Sequence, residues 1–449
     1  MIVLKRLLLG FYGDDFTGST DAMEALDQYG LKTILFLKIP DQEMIDRFQH
    51  VDCVGVAGTA RAKGIKGMEE ELSPVYEFLR QLNPTFVHYK VCSTFDSSPE
   101  VGSIGFAIDL ARNYFNEGSY PLLVAAPNLG RYTVFGEHFA KFQEEIYRLD
   151  IHPVMSKHPV TPMDEADLAK HLQAQTKQEI AKVNVLELEA KTAQQLIDQE
   201  NIDADIILYD ALNASHMNKV SEVLWEKRSE KPQFIVGSSG VEYAIGDAIE
   251  REGVIVKENK TISPSNVNQL FVVSGSVSDV TKQQLENAEK AGFELVQIPF
   301  EMYTDSSIVE VFLDNIIQQI EEKKKVIMYT AKGTEDPIIA RTKEHLLNNG
   351  VKKQDIGIYI GEKLGEWTKS VIDQASLRRV IISGGDTSGF VTSNLDIYGL
   401  EVLDSIAPGA PLCIAYSERA KYDGLEIALK SGQLGGPAFF EKVYQSGSK

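Results

Sequence analysis

Short apolar runs alternate with amphipathic stretches along nearly the whole chain. This alternation is typical of strands that lead into helices around a parallel or mixed sheet. In the first half the predicted strands are Leu7 to Tyr12, Thr33 to Leu37, Cys53 to Ala57, Thr85 to Val91, Leu122 to Ala126, Ile206 to Tyr209 and Phe234 to Gly237. In the second half they are Leu270 to Ser274, Glu294 to Ile298, Val326 to Thr330 and Arg379 to Ser383.

Helical spacing fills many of the gaps between these strands. From Thr20 to Tyr29 apolar residues recur at helical intervals, and Gly30 stands where a residue with positive φ would end the helix. The segment from Glu252 to Gln269 is polar and has no sustained period, so we predict a linker or a crossing strand there. The pattern therefore predicts an α/β fold of two domains, each with a mixed or parallel sheet flanked by helices.

Composition and charge narrow the class of partner. The 449 residues include 45 basic and 65 acidic side chains, for a formal net charge of −20. A nucleic acid is a poor main partner for such a chain, because counterion release requires clustered Lys and Arg. The three cysteines, Cys53, Cys92 and Cys413, lie too far apart in sequence to indicate a disulfide framework or a zinc site, which favours a reducing, cytoplasmic location. No apolar run is long enough to predict a membrane-spanning helix.

The first turn with candidate chemistry is Gly13-Asp14-Asp15-Phe16-Thr17-Gly18-Ser19, between a predicted strand and a predicted helix. In an open α/β sheet ligands bind beyond the carboxyl ends of the strands, where this turn lies. Its two carboxylates are suited to bind hydroxyls, to accept a proton from one of them, or to hold a magnesium ion. The structural alternative is that Asp15 or Thr17 only caps the helix. Because a cap needs one such residue, the crowding of polar residues favours function.

Two further turns with glycine lie in the second half of the chain. Gly384-Gly385-Asp386-Thr387 follows a strand and precedes a predicted helix. Such glycines let a backbone approach a phosphate closely, and the free amides of the helix start point towards it. The alternative is a tight turn in which Thr387 caps the helix. Ser274-Gly275-Ser276 closes another strand and is either a nucleotide-binding turn or an ordinary one.

These turns place phosphate-binding elements in one predicted domain and paired carboxylates in the other. Phosphoryl transfer is catalysed mostly by positioning and by charge stabilisation. The residues therefore favour a cleft between a hydroxyl-binding half and a nucleotide-binding half.

Several segments along the chain carry a resemblance to a known family: Asp14 to Gly18, Lys90-Val91-Cys92-Ser93-Thr94, Pro127 to Arg131, His158 to Met163, Ser274 to Ser276, Gly384 to Thr387 and Lys430 to Gly435. Through these segments the chain resembles the four-carbon acid sugar kinase family along essentially its whole length. Members of the family phosphorylate tetronates or 3-oxo-tetronates with ATP. The resemblance thus implies an ATP-dependent sugar-acid kinase with its active site in a cleft between two domains.

The resemblance also implies roles for individual residues. An N-terminal domain, residues 1–255, would bind the sugar acid through Asp14, Asp15, Lys90, Ser93 and Arg131. A C-terminal domain, residues 256–449, would bind ATP through Ser276, Gly384, Gly385, Asp386, Thr387 and Gly432. Asp14 or Asp15 would be the base for the attacking hydroxyl. Lys90 and Arg131 are both candidate cations for the substrate carboxylate, and Arg131 suits it as a two-pronged donor. Mg²⁺ would arrive with ATP, with no metal site built by the protein.

The match departs from the family pattern in one segment that bears on the substrate. Cys92 stands where the family has aspartate, and Phe95 to Glu100 replaces the usual Arg-Gly beyond it. The change removes a cation and introduces Asp96 and Glu100. A tetronate, a 3-oxo-tetronate and a branched oxo-acid such as 3-oxo-isoapionate therefore all stay open as substrates.

Two functions from other classes are also considered. A sugar-acid-binding regulator would keep the fold without turnover, but the intact acidic and glycine turns speak against it. An oxidoreductase would need a dinucleotide-binding turn, and no GxGxxG follows the first strand. The sequence leaves the oligomeric state open, with a homodimer as one alternative.

Overall fold

The computed structural model describes residues 6–116, 118–158, 160–200, 204–254 and 263–448, and in it the chain divides into two compact units. Unit 1 comprises residues 1–258 and unit 2 comprises residues 259–449. Within the predicted linker, residues 255–262 lie outside the described residues, and 263–269 form neither helix nor strand.

Unit 1 is built on a parallel sheet. Its strands in chain order are β1 (Leu9–Gly13), β2 (Thr33–Phe36), β3 (Cys53–Ala57), β4 (Phe86–Lys90), β5 (Tyr120–Leu123), β6 (Arg131–Val134), β7 (Glu137–Phe142), β8 (Glu145–Arg148), β9 (Ile180–Val183), β10 (Ile206–Tyr209) and β11 (Gln233–Gly237). The order across the sheet is β2-β3-β1-β4-β11-β5-β10-β9, and each pair of neighbours is parallel. Strands β6, β7 and β8 form a separate antiparallel sheet.

Helices connect the strands of the parallel sheet. They are α1 (Phe16–Gln28), α2 (Gln42–Asp46), α3 (Ile65–Leu82), α4 (Ile104–Ala111), α5 (Leu168–Gln173), α6 (Val185–Ala190), α7 (Ala193–Glu200), α8 (Ala214–Glu226) and α9 (Gly240–Glu252). Gly30 follows α1 with φ of 77°, as its place after the predicted helix required. Helix α3 buries one apolar stripe at helical spacing, formed by Met68, Leu72, Val75, Tyr76 and Leu79.

Unit 2 has a mixed sheet. Its strands are β12 (Leu270–Ser274), β13 (Glu294–Gln297), β14 (Lys325–Tyr329), β15 (Arg379–Ser383), β16 (Ile397–Ala407), β17 (Ala410–Ser417) and β18 (Glu426–Lys430). The order is β13-β14-β12-β15-β18-β17-β16, in which β17 runs antiparallel to both of its neighbours. Its helices are α10 (Asp279–Lys290), α11 (Ser306–Glu321), α12 (Pro337–Asn348), α13 (Ile356–Gln374), α14 (Gly385–Asn394) and α15 (Phe439–Gln445).

The predicted α/β architecture, a mixed or parallel sheet flanked by helices in each half, is confirmed, although strands β6 to β9 and β16 to β18 were not among the predicted strands. Each unit buries its own apolar core between sheet and helices. No helix in the described part of the chain combines the length and the apolar character needed to cross a bilayer.

Candidate active site

The acidic turn lies between β1 and α1, and its two carboxylates have different environments. Asp15 caps α1: its Oδ1 accepts from the Gly18 amide at 2.9 Å, and its Oδ2 accepts from the Thr17 hydroxyl at 3.0 Å. The Asp15 side chain nevertheless keeps 29% of its surface exposed, whereas the Asp14 side chain keeps 4%. Asp15 therefore caps the helix, as the structural alternative held, and of the two carboxylates it is also the one that remains accessible to a ligand.

Arg61 binds both carboxylates, and the sequence did not single it out. Its Nη2 lies 2.6 Å from Asp14 Oδ1 and 2.9 Å from Asp15 Oδ1, and its Nε donates to Asp14 Oδ2 at 3.2 Å. The residue sits in a short turn just after β3, where its amide also donates to the Asp14 carbonyl at 3.1 Å. Because β3 pairs with β1, this turn lies beside the acidic one.

Burial and Arg61 give the two aspartates opposite pKa shifts. Burial raises the pKa of Asp14 to about 6, although Arg61 opposes the shift. Burial acts in the same direction on Asp15, but Arg61, Lys90 and the capping hydrogen bonds outweigh it, so the pKa of Asp15 falls below its ordinary value. Asp15 is therefore the carboxylate that is both ionised at neutral pH and open to a ligand.

Lys90 ends β4, on the other side of β1 from Arg61. Its buried Nζ lies 3.5 Å from Asp21 Oδ2. Burial by itself lowers the pKa of Lys90, but Asp21 and Asp15 together raise it above the ordinary value, so the ammonium stays charged. A Cβ at Gly18 would lie 2.7 Å from this Nζ, so a side chain at this position would displace the Lys90 ammonium. The chain leaves the neighbouring strands β1 and β4 in opposite directions: α1 leads from β1 to β2 towards one edge of the sheet, and α4 leads from β4 to β5 towards the other edge. At such a point the loops diverge and open a crevice for a ligand at the carboxyl ends of the strands.

Arg131, at the start of β6, has no acidic partner among the residues that the structure describes. Its Nη1 donates to the backbone carbonyls of Leu129, Gly130 and Lys141 at 3.2–3.3 Å. Its Nε is buried and has no hydrogen-bond partner in the described chain. Burial lowers the pKa of Arg131, yet a guanidinium stays charged, so the residue is a largely buried cation without an acidic partner in the described chain.

The segment after β4 is packed into this site. Cys92 Sγ lies 2.9 Å from the Thr94 hydroxyl, which donates to Asp96 Oδ1 at 2.7 Å. Burial raises the pKa of Cys92, and Asp96 adds to the shift, so the thiol is neutral at neutral pH. Ser93 is partly exposed, and its carbonyl lies 2.8 Å from His138 Nε2. Asp96 is 6% exposed, so this departure from the family pattern places a carboxylate inside the unit.

In unit 2 the predicted nucleotide turns converge at the carboxyl ends of β12, β15 and β18, which are neighbours in the sheet. The Gly275 and Ser276 amides donate to the Ser383 carbonyl at 3.0 and 3.3 Å. The Gly384 amide donates to the Lys430 carbonyl at 2.9 Å. A Cβ at Gly432 would lie 2.5 Å from Ser276 Oγ, so the turn that contains Gly432 packs directly against the turn that contains Ser276.

Helix α14 begins at Gly385, and Gly384 precedes it with φ of 135°. The predicted alternative that Thr387 caps this helix is wrong: Gly384 is the capping residue, and a glycine offers no side chain to the first turn. The amides of that turn have no acceptor within the helix and are available to an anion. A Cβ at Gly385 would meet nothing within 4 Å, so space lies open beside these amides. The Asp386 side chain lies outside the described residues.

A cavity of about 380 Å³ adjoins the first of these turns. Its wall includes Gly275 and is otherwise largely apolar, with Val277, Tyr303, Ile338, Ile339, Ile356 and Ile360. An apolar cavity next to free helix amides is the combination that a nucleotide requires, because its base is flat and apolar and its phosphates are anionic.

Comparisons with known proteins agree with this division of chemistry. Residues 9–245 match the model of a sugar-binding N-terminal domain, and residues 271–440 match that of a nucleotide-binding C-terminal domain. A 3-oxo-isoapionate kinase of Paraburkholderia graminis is 39% identical over 97% of this chain and 94% of its own length. The chain belongs to the four-carbon acid sugar kinase family.

Other relatives are more distant. A 3-oxo-tetronate kinase of Pseudomonas savastanoi pv. phaseolicola is 28% identical over 98% of this chain and 97% of its own. A solved structure from Salmonella typhimurium LT2 has the same fold, with a TM-score of 0.79 at 22% identity over 97% of this chain and 98% of that one. The predicted family and the predicted activity class, a sugar-acid kinase, are confirmed.

The raised pKa of Asp14 in this kinase gives a prediction for Asp14→Asn. Between pH about 4 and about 6, Asp14 keeps its proton in the folded wild type but loses it in the unfolded chain. The unfolding free energy of the wild type therefore falls as pH rises through this range. The variant avoids this fall. Its unfolding free energy relative to wild type is expected to rise by about 2–3 kcal/mol from pH about 4 to pH about 7.5. Urea unfolding at several pH values measures the difference, and a pH-independent difference would contradict the assignment.

Proposed function

We propose that the protein transfers the terminal phosphate of ATP to a hydroxyl of 3-oxo-isoapionate or a closely similar branched oxo-acid. Arg131 carries this proposal. It is a guanidinium with a buried, unpartnered Nε in the same unit as an accessible carboxylate, Asp15. A sugar acid offers a carboxylate that Arg131 can bind and a hydroxyl that can donate to Asp15. The choice of acid follows the relative at 39% identity, because the 3-oxo-tetronate kinases compared are 24–28% identical.

In unit 1 we assign the substrate to the carboxyl ends of the strands. Arg131 binds the carboxylate, while Lys90 and Ser93 bind oxygens of the carbon skeleton. The buried Asp96, with its neighbour Cys92, shapes the pocket towards hydroxyl-bearing groups, because a buried carboxylate accepts hydrogen bonds and repels a second anion.

Asp15 is the proposed base and Asp14 the residue that positions Arg61. Asp15 takes the proton of the attacking hydroxyl as its oxygen bonds to the terminal phosphorus of ATP and as the bond from that phosphorus to the bridging oxygen breaks, which releases ADP. Both oxygens of Asp14 are held by Arg61, and 4% of its side chain is exposed, so Asp14 has no free face for a substrate. Its ionised form keeps Arg61 in place.

In unit 2 we assign the phosphates to the amides at the start of α14, with Gly384, Gly385, Asp386 and Thr387, and to the turns of Ser276 and Gly432. The apolar cavity beside Gly275 takes the base. Mg²⁺ is proposed to arrive with ATP and to supply charge neutralisation. In the described part of the chain no three acidic, His or Cys side chains converge into a site that could hold a metal ion.

A substrate panel tests the proposed activity. ADP release is measured with ATP and Mg²⁺ and with 3-oxo-isoapionate, 3-oxo-tetronates and tetronates, and the products are identified by mass spectrometry. We expect kcat/KM for 3-oxo-isoapionate to exceed the others by at least about tenfold, because a built pocket discriminates by fit and by hydrogen bonding. Higher kcat/KM for a tetronate would overturn the choice of acid. Tight binding of an acid without ATP consumption would overturn the kinase reaction itself.

Arg131 gives a sharper test of the carboxylate contact. Arg131→Met is expected to raise KM for the acid by about 10²-fold, since a charge-assisted pair of hydrogen bonds is lost, and to leave KM for ATP unchanged. Arg131→Lys restores the charge without the fork and should recover only part of the loss. Arg148→Met, which removes a half-exposed arginine of β8, is the matched control. Equal effects of Arg131→Met on both substrates would argue against this contact.

A further inference from the structure

A polar row crosses the sheet of unit 2 beneath the nucleotide turns. Ser274, Ser383 and Lys430 are in register at the ends of β12, β15 and β18, and all three are fully buried. Side chains two residues apart on a strand share a face. The row therefore lies on the face whose preceding positions, Val272, Ile381 and Ala428, belong to the apolar core.

Lys430 is a buried amine whose side-chain partners, among the described residues, are hydroxyls. Its Nζ donates to Ser383 Oγ at 3.0 Å and to Thr281 Oγ1 at 3.3 Å. The described residues provide it with no ion-pair partner. Next to Ser383 in the row, Ser274 Oγ is buried and has no hydrogen-bond partner in the described chain. A buried cation beside an unused hydroxyl is costly unless a further group, absent from the free protein, completes the site.

One hydroxyl separates Lys430 from the nucleotide turns. Thr281, which accepts from Lys430, lies 2.9 Å from Ser276 Oγ and 3.2 Å from the Gly432 carbonyl. Ser278 also bonds both Thr281 and the Gly432 carbonyl. A hydrogen-bond chain through Thr281 thus connects Lys430 to the turns to which the proposed function assigns the phosphates.

Asp386 of α14 follows Ser383 by three residues, and its side chain lies outside the described residues. The other charged groups on the elements packed against Lys430 are Asp279, Lys282, Glu286, Glu289 and Lys290 of α10, Arg379 of β15, Glu426 of β18, and Glu441 and Lys442 of α15. Arg379 and Glu426 pair with each other four residues earlier on their strands. Burial lowers the pKa of Lys430 to about 7, and none of these groups adds to the shift. The free protein therefore holds Lys430 largely neutral at pH about 8.

We propose that Lys430 is the positioning cation of the nucleotide site: it takes a proton from solvent when the phosphates bind, and balances their charge from beneath the turns. The inference rests on the proposed function, in which unit 2 binds ATP. An anion close to Lys430 favours its charged form, so binding and protonation are coupled.

Isothermal titration of ADP into the full chain at pH about 8, in two buffers of different ionisation enthalpy, measures the protons taken up on binding. At this pH the terminal phosphate of ADP is already ionised, because its pKa is near 6. We expect an uptake approaching one proton per nucleotide in the wild type. The uptake should fall to roughly half a proton at pH about 7, where Lys430 is already half charged and the phosphate of ADP is still mostly ionised.

Lys430→Met is expected to abolish this uptake and to weaken ADP binding by at least about tenfold. Lys430→Arg carries a permanent charge and should bind ADP more tightly than the Met variant, again without uptake. Lys290→Met removes an exposed lysine at the far end of α10 and is the matched control. Thermal unfolding shows that each variant is folded; the Met variant, which no longer buries an amine, should be at least as stable as wild type.

The outcomes separate this inference from the proposed function. If wild type binds ADP without taking up a proton, or if Lys430→Met keeps both the affinity and the uptake, the role of Lys430 is wrong while nucleotide binding stands. If wild type binds neither ADP nor ATP, the assignment of unit 2 is wrong and the role of Lys430 falls with it.

Discussion

Replacing Asp15 by Asn is expected to lower kcat by about 10²–10⁴-fold, the range typical for loss of a general base. An amide keeps the size of the side chain but cannot accept the proton of the attacking hydroxyl. The variant should fold normally, because Asn is as good a helix cap as Asp. Steady-state kinetics with saturating ATP measure the loss, and circular dichroism and thermal unfolding verify the fold.

The matched control for this substitution is Asp41→Asn. Asp41 caps α2 in the same manner, with its Oδ1 accepting from the Met44 amide at 2.9 Å, but it is exposed and lies in no proposed site. It should leave kcat unchanged. Wild-type turnover in Asp15→Asn would remove the acidic turn from the catalytic machinery, and a full loss in Asp14→Asn alone would transfer the role to Asp14.

Replacing Arg61 by Met is expected to impair both activity and stability. The substitution leaves Asp14 and Asp15 adjacent and largely buried. It removes the cation that donates hydrogen bonds to three of their four carboxylate oxygens. Removing one partner of a buried ion pair costs about 3–5 kcal/mol of unfolding free energy. Loss of the charge also raises the pKa of Asp15, so less of the base is ionised, and we expect kcat/KM to fall by about 10³-fold.

Arg61→Lys separates charge from geometry in this test. Lysine restores the positive charge but cannot bond two carboxylates as a planar fork, so stability should recover more than activity. Arg80→Met, which removes a half-exposed arginine paired with Glu77 on α3, serves as the surface control and should leave the unfolding free energy nearly unchanged, because solvent screens an exposed ion pair. An Arg61→Met variant with wild-type kinetics would contradict the positioning role of Asp14.

Much of the fold was predictable because local patterns carry it. Strands such as Cys53–Ala57 and Leu270–Ser274 are short apolar runs between polar turns, and their bounds agree with the predicted ones. Strands β16, β17 and β18 were not predicted, although a mixed sheet was among the alternatives. In β16 the polar residues Glu401, Asp404 and Ser405 interrupt the apolar run that a strand prediction relies on. Periodicity within a segment shows whether it is a strand, but the partner of that strand depends on residues far along the chain.

In the candidate site, too, the residues in local motifs were predictable and a residue placed by strand order was not. Asp14 and Asp15 were found because carboxylates, hydroxyls and glycines crowd into one turn. Arg61 stands alone in Gly58-Thr59-Ala60-Arg61, and only the pairing of β3 with β1 brings it to the carboxylates. A signal was present, since Arg61 follows an apolar strand by four residues. Without the strand order, however, nothing distinguished it from the other cations of the chain.

Asp15 both caps α1 and, in our proposal, receives the substrate's proton. Two processes that are usually independent, the winding of a helix end and the basicity of a catalytic group, are therefore linked thermodynamically. Each hydrogen bond from Gly18 or Thr17 that tightens the helix end makes the carboxylate a weaker base by the same free energy. Substitutions at Thr17 or Gly18 can consequently shift the acid limb of the pH–rate profile without any change in the residue that accepts the proton.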